Sequence, residues 1–375
     1  MTSAVNQIAV GATDSEALHY QDATALAALI ASKQVSSREV VQAHLGRIAE
    51  VNPKINAIVT LLADEALRGA DAADAALADG RDVGPLHGVP VTVKDSLDTA
   101  GIPTQRGSKI FAGFIPDVDA TAVERIKAAG GILLAKTNAP EFSAWTETDN
   151  AVTGRTNNPW NLERTPGGSS GGESAAVASG MSPMGIGSDV AISLRGPAAF
   201  TGVAALKATH GRIPFTGHFA PMTSAWWHVG PMARTVRDVA LGYSILSGPD
   251  GIDGYAVHAK EVDSASTRFA GQTFRVGWVT DDAFGPVDPE IASAVEHWAR
   301  GKGLIAPDET VSMRDVDIVA AGINHQTWYL KAQWRGIDLI PLLLEMFEQH
   351  PTYPTTEKVR IDVLKRFGFY STESN

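Results

Sequence analysis

Along the first eighty residues the apolar positions recur with a helical period. Leu26, Leu29 and Ile30 share one face. Ser36 and Glu39 have the spacing of a capping box, and Val40, Val41, His44, Leu45, Ile48 and Val51 then form one stripe. His44 on that stripe reads as a core or boundary histidine. Asp64 to Asp79 is rich in alanine with its charges on one side, again a helix. The texture changes at Gly84. In GPLHGVPVTVKDSLDTAG a short β-branched run lies between glycines and prolines, which predicts a buried strand ending at Lys94 and Asp95.

Thr121 and Glu124 have capping-box spacing before a helix Ala122 to Ala129, stopped by Gly130-Gly131, and ILLAK then reads as a buried strand. SPMGIGSDV and FTGVAALKAT each predict a short apolar strand, and RTVRDVALGYSILSG an amphipathic helix with Thr235 near its start. Helices alternating with short apolar strands indicate an α/β fold with a parallel or mixed sheet. Neither an internal repeat nor a long linker interrupts the pattern.

One stretch could be a linker. RTPGGSSGGESAAVASG holds only Gly and Ser from Gly167 to Gly172, the composition of a flexible tether. But Glu173 to Ser179 is a good helix former, Gly180 supplies a stop, and the whole lies inside the α/β region. GGSSG also contains G-x-S-x-G, yet that nucleophile elbow needs a strand running into the serine, and NNPWNLERTP is polar and proline-bounded. Without a following Lys-Ser or Lys-Thr it is not a phosphate-binding loop.

Composition narrows the chemistry. The chain has 375 residues, 44% hydrophobic and 19% charged, enough to bury a sizeable core. A net charge of −11 argues against a nucleic-acid partner, because no excess of Lys and Arg neutralises phosphates. With no cysteine, thiolate nucleophiles, disulfides and Cys-ligated zinc are excluded. Ten scattered histidines without an i, i+4 pair give no basis for a metal site. The N-terminus lacks the basic start and apolar run of a signal peptide, and no window reaches the roughly 18 apolar residues of a membrane span. A cytoplasmic protein without a membrane partner is the expectation.

The segments LHGVPVTVKDSLDTAGIPTQRGS, AGGILLAKTNAPEF, GRTNNPWNLERTPGGSSGGESAAVASG, GSDVAISLRGPAAFTGVAALKATHGRIP and GPMARTVRDVALGYSILSGPDGID together resemble the amidase signature family, from about Asp22 to Val279. The resemblance implies a single amidase domain over 1–375: a helical region to about 80, a catalytic core over about 84–245, and a C-terminal region from about 246. Its fold would be a central mixed β-sheet with helices on both faces. The family's base falls on Lys94, its bridging serine on Ser169 after Gly168, and its nucleophile on Ser193, 24 positions after Ser169. The backbone N–H groups of Val190, Ala191, Ile192 and Ser193 would form the oxyanion hole. Gly168, Ser170, Asp189 and Arg195 would be supporting residues, Ser170 behind Lys94, with Asp189 and Arg195 pairing or binding backbone near the site. No cofactor and no metal are implied.

The chemistry of these residue types agrees with the roles. A serine hydroxyl is a poor nucleophile until a base takes its proton, and a lysine can be that base only if burial lowers its pKa. Taken singly, Lys94 would be an edge lysine and each serine an ordinary turn residue; the resemblance reverses those odds. Two departures stand out. Ala191-Ile192 occupy positions where the family usually has Gly-Gly, which removes conformational freedom and adds apolar surface beside the acyl carbon. And the chain ends in KRFGFYSTESN, earlier than is usual, as a compact variant or a fragment. Phe142, Trp145, Trp226 and Trp227 are candidates for an aromatic-walled substrate pocket, each with a plain core role as the alternative. The expected function is hydrolysis of an uncharged, aryl amide or carbamate through an acyl-enzyme, by a monomer or homodimer with a small-molecule substrate as its partner. The alternatives are a glutamine-hydrolysing subunit of a tRNA amidotransferase, which would need partner subunits, and a catalytically weak binding protein on the same fold.

Overall fold

The computed structural model describes residues 18–81, 83–219, 227–258 and 288–301. The chain divides into two units, Met1–Ser264 and Ala265–Asn375. In the second, the described element is the amphipathic helix Pro289–Gly301, with an Arg300–Glu296 ion pair one turn apart. All else below belongs to the first unit.

Its chain order begins with helices α1 (Ala23–Ala31) and α2 (Ser37–Ile55), strand β1 (Ile58–Leu61) and helix α3 (Ala63–Ala78). Then come β2 (Pro90–Lys94), α4 (Thr121–Ala128), β3 (Ile132–Thr137), α5 (Gly171–Ala178) and β4 (Met184–Asp189). It closes with α6 (Arg195–Thr201), β5 (Ala204–Ala205), β6 (His228–Ala233) and α7 (Val236–Leu246). The six strands form one mixed sheet in the order β1-β3-β2-β4-β6-β5, with β3, β2 and β4 parallel and the outer strands antiparallel.

Helices cover both faces, and β3 shows how. Ile132 and Leu134 enter a core with Val41 and Ile48 of α2 and Ala66 and Ala70 of α3. Leu133, between them, packs on the opposite core, with Val91 and Val93 of β2, Ile126 of α4 and Leu246 of α7. A period of two therefore splits one apolar run between two cores. Because both faces are covered, β2 and β4 are buried at every position, which is why they read as continuous rather than alternating patterns.

The Ser36–Glu39 capping box is present, with Ser36 Oγ accepting from Glu39 N and Glu39 accepting from Ser36 N. The one expected at Thr121 is not: Ala120 is the N-cap, and the Thr121 hydroxyl instead donates to Asp250 at 2.7 Å. FTGVAALKAT yields only the two-residue β5, because its first two residues finish α6. Long-range ties replace such local signals. The carboxylate of buried Asp238 on α7 accepts from Ala23 N and Thr24 N, so one helix caps another across 215 positions.

Candidate active site

Parallel β2 and β4 end side by side, Val93 opposite Ile186, so Lys94 and Asp189 stand at the same edge of the sheet. The carboxyl ends of parallel strands are where an open α/β sheet presents side chains to a ligand. Beside them lies the Gly/Ser stretch. It is a packed turn rather than a tether: a Cβ on Gly168 would lie 2.7 Å from Glu147 N, and one on Gly172 would strike the Asn138 backbone. Ser170 is the N-cap of α5, so the stretch feeds directly into a buried helix. The Gly168–Ser169 peptide is cis.

This arrangement brings Lys94 and Ser169 together. Lys94 is fully buried, and its Nζ lies 2.6 Å from Ser169 Oγ and 3.0 Å from Ser188 Oγ. Burial pushes the Lys94 pKa down to about 7, against the carboxylates of Asp189 and Glu173, which pull it up. An amine whose neutral form is populated near pH 7, at 2.6 Å from a hydroxyl, can take its proton. Ser193 is buried in the turn that follows β4, and its carbonyl accepts from Ser170 N at 3.3 Å. No hydrogen bond joins the Ser193 and Ser169 hydroxyls among the described contacts; the backbone bond is what ties the two loops.

The Ser193 turn is held from below. Asp189, fully buried, accepts from Leu194 N at 3.0 Å and from Arg195 Nε and Nη2 at 3.0 Å each. Burial by itself would raise the Asp189 carboxyl, but the Arg195 hydrogen bonds and charge, with the Leu194 and Arg195 N–H groups, hold it below the usual range. Arg195 also donates to Ala191 O at 2.6 Å. With the carboxylate and the guanidinium holding the turn, none of the described hydrogen bonds uses the N–H groups of Val190, Ala191, Ile192 or Ser193 as donors. Four successive free donors beside a hydroxyl suit a developing oxyanion. Ile192, beside Gly196 in that turn, leaves 38% of its surface exposed.

Several residues here carry no local sequence signal. Ser170 does not bond Lys94; its hydroxyl exchanges hydrogen bonds with the Ser188 backbone, donating to O and accepting from N. The direct second partner of Lys94 is Ser188 Oγ, which also lies 2.7 Å from His218 Nε2. Glu173 is buried between Thr92 and Thr137, both donating to it, the second at 2.8 Å. Burial raises its pKa to about 7, opposed by those hydrogen bonds and by Lys94 and Lys136. Its position in the first turn of α5 was visible, but its neighbours lie on β2 and β3.

The aromatic candidates separate. Phe142 adopts a left-handed backbone (φ 55°) and is buried in a cluster with Phe111 and Phe219. Trp145 is 67% exposed. Trp227 is buried against Phe215 and His218, with ring centroids 5.7 and 5.4 Å away. Trp226 lies outside the described residues. Among the described residues no group of three or more His, Cys, Asp and Glu side chains could hold a metal, and no described helix is long and apolar enough to cross a membrane.

Residues 320–375 match the family 4 glycosyl hydrolase C-terminal domain. A glutamyl-tRNA(Gln) amidotransferase subunit of Acidothermus cellulolyticus is 44% identical over 269 residues, 70% of this chain and 53% of that protein. An acylamidase of Rhodococcus erythropolis is 42% identical over 277 residues, 73% of this chain and 57% of that protein. The chain thus spans about half the length of the curated relatives it matches. The solved structure of a 6-aminohexanoate cyclic dimer hydrolase complexed with substrate superposes with a TM-score of 0.76 at 30% identity, over 94% of this chain and 73% of that one. Residues 39–301, which carry the lysine, the serine turn and the sheet edge that joins them, match the amidase family, and to that family the chain belongs.

Proposed function

We propose that this chain hydrolyses a C–N bond of an uncharged amide or carbamate through an acyl-enzyme on Ser193. The observation that carries the reading is Lys94: a fully buried amine, lowered to about 7, at 2.6 Å from Ser169 Oγ. Ser193 Oγ attacks the carbonyl carbon while its proton passes to Ser169, whose own proton passes to Lys94 Nζ. The N–H groups of Val190 to Ser193 receive the oxyanion. On collapse, the C–N bond breaks and the proton returns from Lys94 through Ser169 to the departing nitrogen. Water then attacks the ester by the same relay, releasing the acid and restoring Ser193.

The exposed apolar side chain of Ile192 favours an aryl or otherwise bulky substrate over a small polar one, and the acylamidase similarity favours an amide. Cys-free composition and a net charge of −11 suit a cytoplasmic enzyme. The test is a hydrolysis screen of the purified chain over aryl amides, aryl carbamates, primary amides and esters, run beside Ser193→Ala. Turnover of the amides or carbamates that is lost in the variant supports the reading; no turnover of either class overturns it.

A second reading has one observation in its favour, the 44% identity with a tRNA-amidotransferase subunit. Under it the physiological amide would be glutamine, and partner proteins would copurify. Glutamine turned over faster than any aryl amide would favour this reading.

A further inference from the structure

His218 is a buried titratable residue for which the hydrolytic scheme has no use. Its backbone is fastened to the segment that follows Lys94: Leu97 and His218 form a bridge, Phe219 N donates to Ser96 O at 3.0 Å, and Asp98 N donates to Gly217 O at 2.8 Å. Its ring is wedged against Phe215 and Trp227, with centroids 4.5 and 5.4 Å away. That packing aims Nε2 at two hydroxyls, Ser188 Oγ at 2.7 Å and Ser96 Oγ at 3.0 Å. Ser188 Oγ is in turn 3.0 Å from Lys94 Nζ. A continuous chain therefore runs from His218 through Ser188 to Lys94 and on to Ser169.

The direction of the hydrogens in that chain decides whether Lys94 can act. The Ser188 hydroxyl has one hydrogen and two described side-chain neighbours, Lys94 Nζ and His218 Nε2. A neutral lysine has one lone pair. If Ser188 donates to it, that lone pair is occupied and cannot receive the Ser169 proton. If Ser188 donates to His218, its oxygen is left to accept an N–H from Lys94, and the lone pair turns to Ser169. Burial, then the nearby positive charges of Lys94 and Arg106, keep the His218 ring uncharged, against a backbone hydrogen bond with Phe219. An uncharged imidazole keeps one nitrogen as an acceptor, which is Nε2 when the proton sits on Nδ1; its single lone pair then serves the nearer hydroxyl, Ser188 Oγ at 2.7 Å against Ser96 Oγ at 3.0 Å.

We propose that His218 is a positioning residue for the Lys94 base: its Nε2 accepts the Ser188 hydroxyl hydrogen, which leaves the Lys94 lone pair free for Ser169. The proposal rests on the reading of Lys94 as the base. It gives the fold a reason to bring a histidine 124 positions away in sequence to a buried lysine. The charged groups facing Lys94 are Asp189, at the end of β4, and Glu173 on α5; His218 reaches it through Ser188 and is itself faced by Arg106.

The test is the pH dependence of covalent labelling by a fluorophosphonate probe, which reads nucleophile activation without requiring the substrate. The variants are His218→Leu, His218→Gln, Ser188→Ala and the double variant Ser188→Ala with His218→Leu, each checked for folding by circular dichroism. His218→Leu is expected to label at least tenfold more slowly at its plateau, because Ser188 then donates to Lys94. Its acidic limb should move to lower pH, since a Ser188 hydroxyl that donates to Lys94 stabilises the neutral amine. The Gln amide oxygen can accept, so His218→Gln should recover part of the rate. Adding Ser188→Ala to His218→Leu should restore the plateau towards that of Ser188→Ala alone, because the misdirected hydroxyl is gone. A wild-type rate and limb in His218→Leu overturns the proposal, as do losses that multiply in the double variant. Should His218→Leu not fold, an acidic limb in Ser188→Ala equal to that of the wild type overturns it. A wild-type chain that does not label at all sinks the Lys94 reading with it, whereas a labelling wild type with indifferent variants sinks the His218 proposal alone.

Discussion

Lys94 Nζ and Ser169 Oγ are 2.6 Å apart, although 75 positions separate the residues and both are buried. The amine must be neutral to accept a proton, and its pKa is lowered to about 7 chiefly by burial. Activity should therefore fall as the pH drops through about 7 and level off above it. Lys94→Met removes the base while filling its space, and should leave a folded chain with turnover reduced at least a thousandfold. The check is a pH–rate profile of both proteins on one aryl amide. A wild-type limb that survives in Lys94→Met would assign the titration to another group, with Glu173 the first to examine, since its pKa is also near 7.

The same burial makes a stability prediction with a defined sign. In the unfolded chain Lys94 binds its proton up to the ordinary value of 10.5; in the folded chain it releases it near 7. Between those values the unfolded state holds more protons, so the Lys94 contribution to stability rises with pH. It rises by about 1.4 kcal/mol per pH unit at most and is flat below about 7. Lys94→Met lacks this dependence. Its advantage over the wild type in chemical denaturation should therefore shrink as the pH goes from about 7 to about 10. A constant difference across that range would mean that Lys94 keeps its charge in the fold.

Ser193→Ala tests the nucleophile. The hydroxyl sits in a turn held by Asp189 and Arg195 rather than by its own side chain, so its removal should leave the turn intact. Turnover should drop by about 10⁴-fold or more, with an unchanged thermal midpoint. Ser193→Ala at a wild-type rate would return Ser169 as the candidate. In mass spectrometry of the trapped acyl-enzyme, the adduct should map to the peptide containing Ser193.

Ile192 tests the substrate class. Its exposed side chain lies over Gly196 in the serine turn. An aryl group burying on the order of 100 Å² of apolar surface there gains about 2–3 kcal/mol, before losses to fit. We expect kcat/KM for an anilide or aryl carbamate to exceed that for acetamide or glutamine by at least tenfold, and Ile192→Gly to narrow the ratio. An unchanged ratio in Ile192→Gly would show that Ile192 does not touch the substrate.

What the sequence determined by itself was local or carried in contiguous runs. Helix α2 was legible from its stripe and capping box, β2 from its β-branched run, and α5 from the helix formers after the glycines, because each depends on neighbours within a few positions. Lys94, Ser169 and Ser193 were legible as candidates because they sit in motif-bearing segments. The tertiary structure alone decided what surrounds them. Local pattern reserved a cap for Thr121, but packing gave its hydroxyl to Asp250. Ser188 reads as one residue of an apolar strand, and His218 as a loop histidine; only the pairing of β2 with β4 and the return of the 215–219 segment past Ser96 bring them to Lys94. The reason is physical: burial and hydrogen-bond partners are properties of contacts across the chain, and the depressed pKa of Lys94 is created by those contacts, not by the residues beside it in sequence.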